Sequence, residues 1–189
     1  MAIRIFIEQG HNPPGYHNGG AVGNGLFEAD INYIVGIYLF NLLNNDSRFE
    51  ARVSRPTETT VLGTDTSSSL AARVNMANSW PANYFISIHC NSNIDPAING
   101  TEAYIYLLNS EANVLSEYII DGITQVTGTR DNGIYQNQSL YVLRNTAMPS
   151  TLIELGYLSN FNDAQRLRDF PYGFAYGIYL GLLNYFGLV

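Results

Sequence analysis

The sequence predicts one α/β domain with a mostly parallel or mixed central sheet. Two observations lead there. Apolar runs of strand length alternate with stretches of helical spacing along the whole chain, with no internal repeat and no linker. At 189 residues, 46% of them hydrophobic and only 13% charged, the chain can bury a substantial core, which argues against intrinsic disorder.

Each element has its own signal. "IRIFIE" (Ile3 to Glu8) reads as a buried strand ending in a turn at Gly10, and the Gly- and Pro-rich stretch from His11 to Leu26 as loop. "DINYIVGIYLFNLL" (Asp30 to Leu43) spaces its apolar residues as a largely buried helix does, and Asn44 and Asn45 end it. "FEARVSR" (Phe49 to Arg55) is a strand, the Thr/Ser-rich run from Thr57 to Ser69 a connection, and "SLAARVNMANSW" a helix with a serine cap. Tyr84 to His89 and Gly100 to Leu108 are further strands. "SEANVLSEYIIDGITQVTG" is a helix with Gly128 as its stop signal. "SLYVLR" and "STLIELG" read as two more short strands. Asn162 to Arg168 and the apolar helix "YGFAYGIYLGLLNYFGLV" close the chain.

Charge and composition exclude several functions. The formal net charge is −7, and all nine basic residues are arginines scattered from Arg4 to Arg168. With no basic stripe to neutralise phosphates, nucleic-acid binding is not expected, and neither is attraction to anionic membranes. The single cysteine, Cys90, excludes an internal disulfide and a cysteine-based zinc finger. No apolar run reaches the roughly 18 residues of a spanning helix, so membrane insertion is not expected. "MAIRIFIEQG" reads as a first strand rather than a signal peptide. The last helix, running to Val189, is expected to leave no room for an appended anchoring module.

In open α/β sheets ligands gather beyond the carboxyl ends of the strands. His11 follows the first strand, His89 closes the strand that begins at Tyr84, and Glu154 lies near the end of "STLIELG". Glu28 sits where the loop from His11 returns to regular structure. Strand alternation turns His89 and Asn91 one way and Cys90 the other, which argues against a Cys90–His89 nucleophilic pair. A buried apolar role is the simpler reading of Cys90.

Each candidate also has a structural explanation. His89 can be a core histidine bonded to backbone, and His11 a solvated loop residue. Glu154, flanked by Ile153 and Leu155, carries a desolvation cost of several kcal/mol unless it is paired, metal-bound or protonated. Arg144 and Arg73 are its possible ion-pair partners. Two neutral imidazoles and a carboxylate make a zinc set with a fourth position left for water, beside which a further glutamate can serve as general base. His17, in the flexible "GYHNGG", is the competing third ligand and would leave Glu28 as a supporting residue.

Assembled in order, these segments resemble the zinc-dependent N-acetylmuramoyl-L-alanine amidases (amidase type 3), over nearly the whole chain. "IEQGHN" resembles the first-strand motif, usually Asp-Pro-Gly-His-Gly, with Glu8 and Gln9 in place of the aspartate and proline. "GNGLFEADIN" resembles the second motif, and Arg55, Leu70, Arg73, Ala77 and Asn78 match a third. "FISIHCNS" looks like Ser-Ile-His-x-Asn, "GTEAYIY" like the strand after it, and "LYVLRNTAMPSTLIELGYLSN" like the closing motif. Asp65 is the best match to an aspartate of the third motif.

The resemblance implies a twisted sheet of about six strands flanked by helices, and residues 1–189 as a single catalytic domain. It implies one zinc ion held by His11, Glu28 and His89, with Glu154 catalytic and Asn91 binding substrate or orienting the site. The implied reaction hydrolyses the amide between N-acetylmuramic acid and L-alanine of the peptidoglycan stem, by a secreted, wall-associated or phage lysis enzyme. Two other readings stand beside it: a zinc peptidase acting on another wall-peptide amide, and a binding module that grips wall peptide without cutting it.

Overall fold

The computed structural model describes residues 2–189. In chain order the elements are β1 (Ile3–Gln9), the short β2 (Val22–Gly23) and β3 (Leu26–Phe27), α1 (Glu28–Asn44), β4 (Phe49–Val53) and α2 (Thr66–Ser79). Next come β5 (Tyr84–Asn91), β6 (Thr101–Ile105), α3 (Glu111–Thr127), β7 (Asp131–Gln136) and α4 (Tyr141–Asn145). The chain closes with β8 (Ser150–Tyr157), α5 (Phe161–Asp169) and α6 (Pro171–Tyr185). One sheet of six strands runs in the order β4-β1-β5-β8-β6-β7, and β2 and β3 form a separate hairpin. β4, β1, β5 and β8 are parallel, β6 is antiparallel to β8, and β7 is parallel to β6. The mixed α/β sheet expected from the sequence is the one observed.

Alternation within the strands divides the core. Ile5, Ile7, Ile86, Ile88, Cys90, Ile153 and Leu155 face one way and join the apolar faces of α1, α3 and α6. Phe6, Phe85 and Leu152 face the other way and meet Val74, Ala77, Trp80, Val142 and Leu143 on α2, α4 and the turn after α2. On this second face the strands turn polar toward their carboxyl ends. Glu8 is register-paired with Ser87, and one step on His89 is paired with Glu154 and Glu154 with Glu102. A polar row thus crosses the sheet at the carboxyl ends of its strands. It flanks the gap between β1 and β5, where the chain, having placed β4 on one side of β1, crosses to place β5 on the other.

Several elements depart from expectation for physical reasons. "SLYVLR" is not a strand: residues 141–145 form one helical turn, with the Arg144 N–H donating to the Leu140 carbonyl. Its four apolar residues are too few to distinguish strand from buried helix by period. β7 carries almost no strand signal in the sequence: of "DNGIYQ" only Ile134 packs on the core, so there is no apolar alternation to read. The cap of α2 is Asp65 rather than a serine: its carboxylate accepts from the Ser68 N–H, and Ser68 Oγ accepts from the Asp65 N–H. Gly128 ends α3 in the left-handed region, as expected.

The backbones of α3 and α6 approach closely at glycines. A Cβ at Gly181 would lie 2.5 Å from the Tyr118 carbonyl oxygen and 2.6 Å from the Ile119 Cα, both backbone atoms that cannot rotate away. Gly181→Ala is therefore expected to destabilise the fold by about 1–3 kcal/mol or more, through forced separation of two helices. Urea unfolding measures this, and an unchanged midpoint would contradict the packing.

Candidate metal centre

His11, Glu28 and His89 arrive from three elements. His11 lies two residues past β1, in left-handed backbone (φ 70°), a conformation that costs a non-glycine residue about 1–3 kcal/mol. The fully buried Arg73 of α2 holds it there: Nη2 donates to the His11 carbonyl at 2.6 Å, while Nη1 pairs with Glu8 and the Gln9 carbonyl. Glu28 opens α1, with Oε2 accepting from the Ala21 N–H at 2.7 Å and Oε1 from the Cys90 N–H at 3.2 Å. His89 lies near the end of β5, its ring packed over Gly10, where even a methyl group would overlap it.

The three side chains converge on one point. Glu28 Oε1 is 3.0 Å from His11 Nε2 and 2.8 Å from His89 Nδ1, and all three ligand-type atoms lie within 4.8 Å of one another. A tetrahedral zinc site separates its ligand atoms by about 3.3 Å, so the cluster is the right size for such an ion. The outward ring nitrogens are also engaged: His11 Nδ1 lies 3.2 Å from the Asn18 carbonyl and 3.1 Å from Asn18 Oδ1, and His89 Nε2 lies 3.7 Å from Glu8 Oε2. The Asn18 contacts fix the His11 tautomer that turns its other nitrogen inward, and the Glu8 carboxylate lies close enough to His89 to favour a proton on its outward nitrogen. The donor set fits zinc.

Charge coupling in the cluster is strong. Burial alone would raise Glu28, but the two imidazoles hold it far below the usual carboxylate range. Burial would lower His89, but Glu28 and Glu8 push it up to about 10. Glu8, despite full burial, is held near 2, chiefly by Arg73 and His89.

Glu154 lies beside this cluster and differs from Glu28 and Glu8 in how it is bonded. It is paired in register with His89, yet its buried Oε2 has no hydrogen-bond partner among the described residues. It pairs with neither Arg73 nor Arg144. Burial pushes it up to about 7, with Glu28 and Glu102 adding to the rise and His89 opposing it. In the metal-free protein, the folded state therefore retains a proton that the unfolded chain gives up. This contribution to stability is fully present below about pH 4.5 and is lost as pH rises to about 7. Metal-free Glu154→Gln should be more stable than the metal-free parent at pH 8 by up to about 3 kcal/mol, with the gap closing below pH 4.5. Urea unfolding at the two pH values tests this; a pH-independent difference would contradict it.

The remaining candidates fall as follows. His17 lies outside the cluster, its Nε2 within 3.0 Å of Asn12 Nδ2 and 3.1 Å of the Leu62 carbonyl. Cys90 points into the core beside Asn32, and burial pushes its thiol well above the ordinary range. A register shift in β5 separates His89 from Asn91, whose Nδ2 donates to Glu102 Oε1 at 2.8 Å. Glu102 is the residue that sequence reasoning missed. Its only signal was a lone acid in an apolar strand.

The sequence pattern of the N-acetylmuramoyl-L-alanine amidases matches residues 5–184. The chain belongs to that family. It is 34% identical over 186 residues to the N-acetylmuramoyl-L-alanine amidase LytC of Bacillus subtilis, covering 96% of this chain but 35% of LytC. It is 35% identical over 190 residues to the amidase CwlM of Bacillus licheniformis, covering 98% of this chain and 70% of CwlM. The catalytic domain of the amidase CwlV from Bacillus (Paenibacillus) polymyxa superposes with a TM-score of 0.83 at 32% identity, covering 99% of each chain. The amidase family's fold thus spans the chain, and none of its helices among the described residues is long and apolar enough to cross a membrane.

Proposed function

We propose that residues 1–189 are a single catalytic domain that hydrolyses the amide between the lactyl group of N-acetylmuramic acid and L-alanine of the peptidoglycan stem. In this reading His11, Glu28 and His89 hold one zinc ion, Glu154 is the catalytic base, and the site of action is the cell wall. The observation that carries it is a buried carboxylate without a hydrogen-bond donor on Oε2, one strand away from a cluster of two imidazoles and a carboxylate sized for one ion.

When bound, zinc supplies Lewis-acid polarisation of the scissile carbonyl and makes water easier to deprotonate. The protein's own groups do the rest. Glu28 contributes the negative charge of the set, and Asn18 and Glu8 orient the two imidazoles. Glu154 Oε2 takes a proton from the attacking water as the new C–O bond forms. It returns that proton to the alanine nitrogen as the C–N bond breaks, so the amine leaves neutral and the lactyl group ends as a carboxylic acid, which then gives its remaining water proton to solvent. Asn91 uses one amide hydrogen on Glu102 and has the other to offer a substrate carbonyl.

Digestion of purified cell walls by the zinc-loaded protein tests the reaction. Mass spectrometry is expected to show stem peptides with a free L-alanine amine and glycan with a free lactyl carboxyl. An amine freed elsewhere in the stem would indicate a peptidase instead. Retained wall affinity with no released product would indicate a binding module.

A further inference from the structure

Glu102 takes no part in the proton transfers above, yet it completes their row. It is paired in register with Glu154 across β6 and β8 and is 5% exposed. Side chains directly opposite in an antiparallel pair have Cβ atoms about 4.5–5.5 Å apart. Three donors converge on its carboxylate: Asn91 Nδ2 at 2.8 Å and the Tyr104 hydroxyl at 2.9 Å on Oε1, and the Tyr157 hydroxyl at 3.0 Å on Oε2. Among the described residues no arginine or histidine pairs with it.

Two neighbouring carboxylates thus divide the local donors unequally, with three on Glu102 and none on Glu154 Oε2. The tyrosines are near both. Burial first, then Glu102 and also Glu154, push both phenols above their ordinary range, so the hydroxyls keep their protons and act as donors. A carboxylate that receives such bonds is a weaker proton acceptor than one that receives none.

We propose that Glu102 is a positioning residue that draws the Asn91, Tyr104 and Tyr157 donors onto itself and so keeps the Glu154 carboxylate free to accept a proton. This inference rests on the amidase reading of Glu154. Without the Glu102 acceptor, the stranded donors turn to the buried oxygen left without a partner on the residue opposite, Glu154 Oε2, and occupy it.

The test compares zinc-loaded parent, Glu102→Ala and Glu102→Gln on a soluble peptidoglycan fragment. Loss of the acceptor is expected to lower kcat by about 10- to 100-fold, with zinc content unchanged. Glutamine retains one acceptor oxygen and the side-chain volume, so it gives a smaller loss in the same direction and stays readable if the alanine variant fails to fold. Adding Tyr104→Phe and Tyr157→Phe to either variant removes two of the three stranded donors, leaving Asn91, and is expected to restore part of the lost kcat. A purely structural role would show as lost zinc or poor folding without that rescue. An active parent matched by Glu102→Gln, or a kcat loss that the phenylalanines do not relieve, overturns this proposal alone. A parent that releases no stem peptide overturns the amidase reading as well.

Discussion

Glu154→Gln is expected to lower kcat by about 10²- to 10⁴-fold while leaving one zinc ion per chain. Glutamine keeps the shape of the side chain but cannot take a proton from water or return one to the departing amine. It is not one of the three clustered groups, so metal content should hold. Elemental analysis beside steady-state kinetics separates these effects. Turnover near that of the parent would remove Glu154 as the base, and a parallel loss of zinc would make it a ligand instead.

Removing the ion should have the larger effect. A strong chelator is expected to abolish turnover, and zinc to restore it. Glu28→Ala should prevent that restoration at the same zinc concentration, because it deletes the only carboxylate in the cluster and leaves two imidazoles facing each other. Loading should also depend on pH in a definite sense. In the metal-free cluster His89 holds its proton up to about pH 10, so zinc must displace it. Apparent affinity should rise with pH through the neutral range, by roughly tenfold per unit for each proton displaced. Zinc titrations against a competing chelator at several pH values measure this slope. A flat profile would show that His89 is already neutral.

The sheet and the strand ends are legible because strand chemistry is local. In "FISIHCN" the apolar alternation breaks at a histidine, and "STLIELG" carries a carboxylate where only an apolar residue is free to be buried. Such breaks mark the places where a side chain has work other than packing. The long helices are legible for the same reason, since their apolar spacing is sustained over several turns.

What is lost lies in register and in short pieces. Glu102 and Glu154 are far apart in sequence and become neighbours only through the antiparallel pairing of β6 with β8. No spacing rule signals that pairing. The Glu8–Arg73 pair is hidden in the same way, because α2 must pack before the guanidinium can reach β1. Residues 141–145 form a single turn whose apolar run fits either period. The strand at 131–136 is held by its β6 neighbour rather than by an apolar face of its own.

Anomalous diffraction at the zinc edge, from crystals of the zinc-loaded protein, tests the central claim most directly. One peak bonded at once to His11, Glu28 and His89, with the Glu154 carboxylate facing it, is the predicted result. A peak held by His17 or bound directly by Glu154, or full zinc occupancy with no density among the three, would contradict the account.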